Sequence, residues 1–348
     1  MDRCDIVVIG ASAGGLAVLR KICAGLPADF PGVVLVVQHV GAHRSMLAEL
    51  LDSAGPLPAR IASAGAPMRP GCVLVAPPDQ HLLVEPGLRV RLHRGPKENH
   101  ARPAVDPLFR SAAIAYGPRV VGVVLSGYLD DGTAGLQAIK ACGGHAIVQD
   151  PADAEQPGMP SNAQAHVAVD AVLPGDAIAA QLARLARQAA RPAGPPPDAL
   201  VREQRISNGT SEDTMADLDR IGSPDRIICP DCGGVLWRLG GSAGPTRFRC
   251  HTGHAFTLQS LAHEQATRAD EAVWRALRAV HERERLLRML ARSLEEVSRE
   301  EAQRLLREAE HSATHARQLL SIATAGAGEH ELPRLAAHGR ATDTGWTP

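Results

Sequence analysis

The chain has 348 residues, enough for one catalytic-sized domain plus an extension. Its formal net charge of -1 gives no global field toward nucleic acid or an anionic membrane, so neither is expected as a partner. No stretch reaches the roughly 20 apolar residues of a membrane-spanning helix, and the N-terminus lacks signal-peptide architecture, so a cytoplasmic location is expected.

Aromatic residues make up only 3% of the chain, so the core must come from Val, Leu, Ile and Ala, which suits buried parallel strands. Ile6–Ile9 reads as a first strand. A helix follows from about Leu16, with Leu16, Leu19, Cys23 and Leu26 on one face, and Pro27 ends it. Val33–Val37 is an all-apolar strand, and further strands are expected at Cys72–Ala76, Val120–Leu125 and Ala146–Gln149. Helices are expected near Val105–Ala115 and Ala134–Cys142, the second closed by Gly143 and Gly144. Leu82–Val84 with Leu88, Val90 and Leu92 reads as a hairpin around Pro86 and Gly87. This alternation predicts an α/β fold with a doubly wound, mostly parallel sheet over residues 1–190.

The run Arg191–Pro197 is proline-rich, and residues 191–224 read as a flexible linker. A compact Cys/His segment is expected over 225–256, then a helical hairpin over 257–324 and a disordered tail over 325–348. Val273, Leu277, Val280, Leu287 and Leu294 mark the first long helix at near-heptad spacing, and a second helix is expected over Glu300–Ile322. The apolar stripe is most simply an internal packing face. The sharper alternative is a docking site for partner helices or a separate signalling protein.

Gly10-Ala11-Ser12-Ala13-Gly14 has the G-x-S-x-G form of a nucleophile elbow, a serine on a strand-to-helix turn beside free helix N–H groups. A dinucleotide loop would need glycine at position 12, where this chain has serine. His39 lies just past the second strand, and Asp130 and Asp131 lie past the Val120–Leu125 strand. Open α/β sheets bind ligands at such strand ends, so Ser, His and either Asp form the set that acyl transfer needs. The order Ser…His…Asp differs from the Ser…Asp…His order of α/β-hydrolases. Most of the fifteen histidines are surface or structural, and His43, His81 and His100 are given no role.

The seven cysteines form no disulfide framework, which fits a reducing compartment. Cys229, Cys232, Cys250 and His254, in the pattern C-x2-C…C-x3-H, make a four-ligand set for a closed, structural zinc site. His251 is the alternative fourth ligand, and a metal-free thiol turn is the bland reading.

Ile9–Gly15, Val37–His39, Ala101–Phe109, Leu125–Gly135 and Gly158–Pro160 together resemble the catalytic domain of chemotaxis protein-glutamate methylesterases, the CheB family, over about Asp5–Ala190. The resemblance implies a triad of Ser12, His39 and Asp131 acting on glutamate γ-methyl esters of the cytoplasmic helices of chemoreceptors. It implies possible glutamine deamidation and no cofactor for catalysis. Backbone N–H groups near Ala13 and Tyr128 are the implied oxyanion donors. Arg102 either holds an acidic substrate surface or is a structural arginine ahead of a helix. The family commonly has a hydroxyl-bearing residue where Ala13 stands. Ser12 lies so near the start that the family's receiver domain is expected to be missing, and phosphorylation in cis with it. The competing functions are a non-catalytic signalling adaptor on the same fold and a serine hydrolase of an unrelated ester.

Overall fold

A computed structural model describes residues 3–41, 45–240 and 245–325. Seven parallel strands form the central sheet, and its valine- and isoleucine-rich sequences explain why both faces are covered. They are β1 (Ile6–Ala11), β2 (Val33–Gln38), β3 (Ala59–Ile61), β4 (Cys72–Val75), β7 (Val120–Val124), β8 (His145–Gln149) and β9 (Ala171–Leu173), in the order β3-β4-β2-β1-β7-β8-β9. The edge strands β3 and β9 have three residues each, too short for a pattern to stand out, and were not foreseen. The expected hairpin forms from β5 (His81–Glu85) and β6 (Arg89–His93), paired antiparallel.

Side chains alternate between the two faces. Ile6 and Val8 enter one apolar layer with Leu108, Phe109 and Leu136, from α3 (Val105–Tyr116) and α4 (Thr133–Ala141). Val7, Ile9 and Ala11 enter the other, with Leu19, Ile22, Leu51 and Leu182 from α1 (Gly15–Gly25), α2 (Leu47–Asp52) and α6 (Ile178–Leu185). The helix α5 (Gly158–His166) contributes Met159 and Ala163 to the first layer.

Residues 191–224 are not the linker their composition suggests. Residues 191–197 lie in no helix or strand, but α7 (Asp198–Asn208) and α8 (Thr214–Ile221) follow. Each buries a narrow stripe, Ile206 from α7 and Leu218 and Ile221 from α8, beside the buried polar groups Glu203, Ser207 and Asp217. Arg202 bonds to Asp198 and Asp217, and the Asp213 carboxylate caps α8 by accepting from the Ala216 N–H. Ion-paired burial of this kind reads as solvated polarity in composition alone. A four-stranded antiparallel sheet comes next: β10 (Gly222–Ile228), β11 (Val235–Leu239), β12 (Arg247–Cys250) and β13 (Ala255–Thr257).

The chain divides into two compact units, residues 1–262 and 263–348. Helix α9 (Leu258–Leu294) begins in the first, and the second contains the rest of it and α10 (Arg299–Ala325). In the second unit Leu277, Ala291, Leu305, Ala309 and Ala316 are buried, and Arg283 pairs with Glu308 at 3.8 Å. Of the heptad stripe, Leu277 is buried and Val273, Val280, Leu287 and Leu294 are half-buried. The expected tail lies outside the described residues beyond Ala325. No helix among the described residues is long and apolar enough to cross a membrane.

Candidate active site

The strand order reverses direction at β1: the chain moves from β1 to β2 on one side and later returns to lay β7 on the other. The carboxyl ends flanking that switch point are where open α/β sheets leave a crevice. In-register pairing of Ala11 with Gln38 and of Gly10 with Val124 brings the three strand ends level. Ser12 follows β1, His39 follows β2, and Asp131 sits in the loop after β7.

Ser12 is held by its backbone. Its N–H donates to Ser126 O at 2.9 Å, and its carbonyl accepts from Gly15 N at 3.0 Å and Gln38 Nε2 at 2.6 Å. Gly14, at φ 77°, turns the chain into α1 in the left-handed region that glycine tolerates. A Cβ there would come within 2.6 Å of Ser126 Oγ. Ser126 is itself fully buried, donating to Ala13 O at 2.8 Å and accepting from Gln156 N at 2.9 Å. Neither Gln38 nor Ser126 was singled out in the sequence, although both adjoin residues that were.

His39 Nδ1 lies 3.2 Å from Ser12 Oγ, and Nε2 lies 2.7 Å from Asp131 Oδ2. A carboxylate only accepts, so the proton resides on Nε2 and the Nδ1 lone pair faces the serine. The two ring nitrogens thus exchange the places they hold in the Ser-His-Asp template. Asp131 is 3% exposed and surrounded by donors. Oδ2 also accepts from Val105 N at 2.7 Å, and Oδ1 accepts from Asn99 Nδ2 at 3.0 Å, Gly132 N at 3.0 Å and Asp106 N at 3.2 Å. Burial alone would raise this carboxyl. The hydrogen bond from His39, with the Val105 and Asn99 donors, outweighs burial and holds it below the usual carboxylate range.

Its neighbour Asp130 faces away, accepting from Thr257 Oγ1 at 2.7 Å, and burial pushes it up to about 7 against that hydrogen bond. The structure therefore distinguishes two aspartates that position along the chain left equivalent. Asp106 is a third carboxylate the sequence did not mark as part of the site. It accepts from Gly135 N at 2.6 Å, Gly132 N at 3.0 Å and Asn99 Nδ2 at 3.0 Å. Burial, then repulsion from Asp131, raises it well above the usual range.

Helix α3 delivers the Val105 and Asp106 amides because Gly10 lets it close onto β1. A Cβ on Gly10 would overlap both Val105 γ-methyls. Gly10→Ala is expected to cost about 1–3 kcal/mol, the usual range for overpacking a core, read as a lowered urea midpoint with unchanged slope.

Tyr128 exposes 61% of its surface in the loop after β7, and no hydrogen bond of its N–H or of the Ala13 N–H is seen among the described residues. Arg102 Nε and Nη2 donate to Asp79 Oδ1 at 2.8 and 2.6 Å, and Nη1 donates to Gly95 O at 2.7 Å. Asp79 is shared with Arg94, whose Nη2 donates to Oδ2 at 3.0 Å. His81 is buried between Pro96 O and Ala104 N, and His100 lies 3.7 Å from Asp231. His43 lies outside the described residues.

The Cys/His donors converge in the four-stranded sheet. The Cys229, Cys232 and Cys250 thiols and one His254 nitrogen all lie within 4.8 Å of one another. Two turns bring them in, closed by Gly233 N to Cys229 O at 2.8 Å and by Gly253 N to Cys250 O at 2.9 Å. Cys232 and Cys250 Sγ are 3.7 Å apart, and Cys250 Sγ is 3.5 Å from His254 Nδ1. A tetrahedral zinc with ordinary bond lengths has S···S and S···N edges of roughly 3.8 and 3.6 Å, so the donors fit that ion. His251 is exposed and outside the cluster.

The family model described as CheB methylesterase matches residues 7–182. A protein-glutamate methylesterase/protein-glutamine glutaminase 3 of Anaeromyxobacter dehalogenans is 45% identical over 185 residues, 53% of this chain and 54% of that one. A protein-glutamate methylesterase/protein-glutamine glutaminase 1 of Burkholderia lata is 41% identical over 183 residues, 52% of this chain and 55% of that one. The chain thus spans about half the length of the curated relatives it matches. The crystal structure of the Thermotoga maritima CheB methylesterase catalytic domain superposes with a TM-score of 0.50 at 37% identity, covering 52% of this chain and 98% of that chain.

Proposed function

The chain belongs to the CheB methylesterase family, and on that premise we propose that it hydrolyses glutamate γ-methyl esters on the cytoplasmic helices of chemoreceptors, with Ser12, His39 and Asp131 as the reacting set. The observation that carries this reading is the continuous line Ser12 Oγ to His39 Nδ1 and His39 Nε2 to Asp131 Oδ2, at 3.2 and 2.7 Å.

Ser12 Oγ attacks the ester carbonyl while His39 Nδ1 takes its proton. The imidazolium is stabilised by Asp131, which stays ionised behind its donors. The developing oxyanion is met by the Ala13 and Tyr128 N–H groups. His39 returns the proton to the leaving methoxide, methanol departs, and a glutamyl ester of Ser12 remains. Water, deprotonated by His39, attacks that ester and frees the glutamate carboxylate and Ser12. Glutamine deamidation follows the same steps with ammonia as the leaving group. The test is methanol release from a methylated receptor fragment by the full-length chain, with no release by the wild type refuting the substrate.

In this reading residues 1–190 carry the chemistry in the cytoplasm, 225–256 form a zinc-ribbon-like segment, and 257–324 form its helical appendage. Cys229, Cys232, Cys250 and His254 hold a structural zinc, and all four positions are protein donors, which leaves none open for a substrate. The apolar core around them is small (Cys229, Leu236, Phe248, Cys250, Phe256 and Leu261), so metal bonds have to supply much of its folding energy. Purified chain is expected to carry one zinc, measured by elemental analysis. Cys232→Ser is expected to carry far less and to melt at lower temperature. Full-length protein with sub-stoichiometric zinc and an unchanged melting curve after chelation would refute the metal.

A further inference from the structure

Asn99 stands between the buried carboxylates and the Cys/His sheet. Its Nδ2 donates to Asp131 Oδ1 and to Asp106 Oδ2, each at 3.0 Å. Its Oδ1 accepts from Thr257 N and from Ser260 Oγ, each at 3.1 Å. These four contacts use both N–H donors and both lone pairs of the amide, and the chemistry on each side fixes which way it points. The backbone is tied to the same sheet, with Asn99 N donating to Ala255 O at 2.8 Å and Ala255 N to Lys97 O at 3.3 Å. Residues 97–99 thus lie beside β13 like an added strand.

Thr257 and Ser260 are the cap of α9. Ser260 N donates to Thr257 Oγ1 at 3.1 Å, and Thr257 N donates to Ser260 Oγ at 2.9 Å, the reciprocal pattern of a capping box. The same cap therefore offers one N–H and one hydroxyl to Asn99 and, through Thr257 Oγ1, a hydroxyl to Asp130. Sequence separations of 158 and 161 residues put these contacts beyond any local motif.

We infer that Asn99 is a positioning residue for Asp131 and that its hold is set by the α9 cap, so that the C-terminal segment tunes the reactivity of Ser12 from behind. The inference rests on Ser12, His39 and Asp131 being the reacting set. Asp131 Oδ2 serves His39, and rotation of the carboxylate is resisted on the Oδ1 side, where Asn99 supplies the side-chain donor. Backbone donors from Asp106 and Gly132 share that task, so losing Asn99 loosens the carboxylate without freeing it.

The test uses the full-length chain and two readouts. The first is the rate at which a fluorophosphonate modifies Ser12, whose oxygen displaces fluoride from phosphorus while His39 takes the proton. The second is the proton resonance of the His39 Nε2–H, assigned with His39→Gln, recorded well below each variant's melting temperature. Asn99→Ala is expected to slow modification about tenfold, the worth of one hydrogen bond to a charged group, and to move the imidazole resonance. Ser260→Ala is expected to do both to a smaller extent. The double variant is expected to be no slower than Asn99→Ala, because Ser260 acts through Asn99. An unmoved resonance in Asn99→Ala, or rates that simply multiply, overturns the inference. If Ser12 takes no probe in the wild type, the failure lies in the proposed chemistry, and the imidazole resonance still decides the part played by Asn99.

Discussion

Ser12→Ala is expected to lower methanol release from a methylated receptor fragment by about 10,000-fold or more, the usual cost of deleting the nucleophile of a triad. The melting curve is expected to stay where it is, because Ser12 is only half-buried and its Oγ gives up one contact, the 3.2 Å approach to His39. The backbone bonds that build the elbow, from Ser12 N to Ser126 O and from Gly15 N to Ser12 O, do not involve the side chain. This separation of rate from stability makes Ser12 a better probe than Asp131. Every partner of the Asp131 carboxylate is a donor, so Asp131→Asn would turn an amide NH2 toward N–H groups and destabilise the fold as well. Activity surviving in Ser12→Ala would refute the mechanism. Loss of activity together with a large drop in melting temperature would show that the elbow depends on the hydroxyl in a way the hydrogen bonds do not reveal.

Ser12, His39 and the Asp130–Asp131 pair were legible in the sequence because each follows a strand whose apolar run announces itself, while the choice of Asp131 within the pair came from the family resemblance. Their convergence needs only a parallel sheet and a switch point. Asn99, Asp106 and Thr257 were not legible. Asn99 contacts Thr257 across 158 residues, and no periodicity or spacing encodes a pairing between a loop and a later sheet. The same limit explains the misreading of 191–224. Pattern reading looks for apolar stripes, whereas α7 is anchored as much by Glu203, buried against Arg247 and Arg249, as by Ile206. Buried ion pairs look like surface until their partners are in view. The clustering of Cys229, Cys232, Cys250 and His254 was legible for the opposite reason: tight pairs of donors with glycine in or just after the turn are a local signal, and the long-range step is the pairing of β11 with β12.

Glu98→Gln is expected to destabilise the chain by about 3–5 kcal/mol at neutral pH, the range for breaking a buried ion pair from one side. Glu98 accepts from Arg110 at 3.0 and 2.6 Å, from Arg249 at 3.2 Å and from Ser207 at 2.6 Å. Arg110 and Arg249 are almost wholly buried, and with Arg247 they would be left sharing Glu203 alone. Isosteric glutamine keeps the shape but removes the charge and turns an N–H2 toward guanidinium. Burial works against both carboxylates, yet the arginines hold Glu98 far below the usual range and bring Glu203 from 4.5 to about 2. A depressed folded pKa gives stability that is full above the unfolded value and is lost as pH falls through the folded one. The difference between wild type and Glu98→Gln is therefore expected to be widest above about pH 4.5 and to narrow as the medium is acidified toward pH 2, read from urea midpoints across that span. A difference under about 1 kcal/mol at neutral pH would mean that the node contributes geometry rather than stability. Glu98 directly precedes Asn99, so the segment that locks α3, α7 and β12 together also carries the amide that faces Asp131. Stability and the alignment of the site are coupled through those two consecutive residues, and Glu98→Gln is expected to blur the His39 Nε2–H signal before it unfolds the chain.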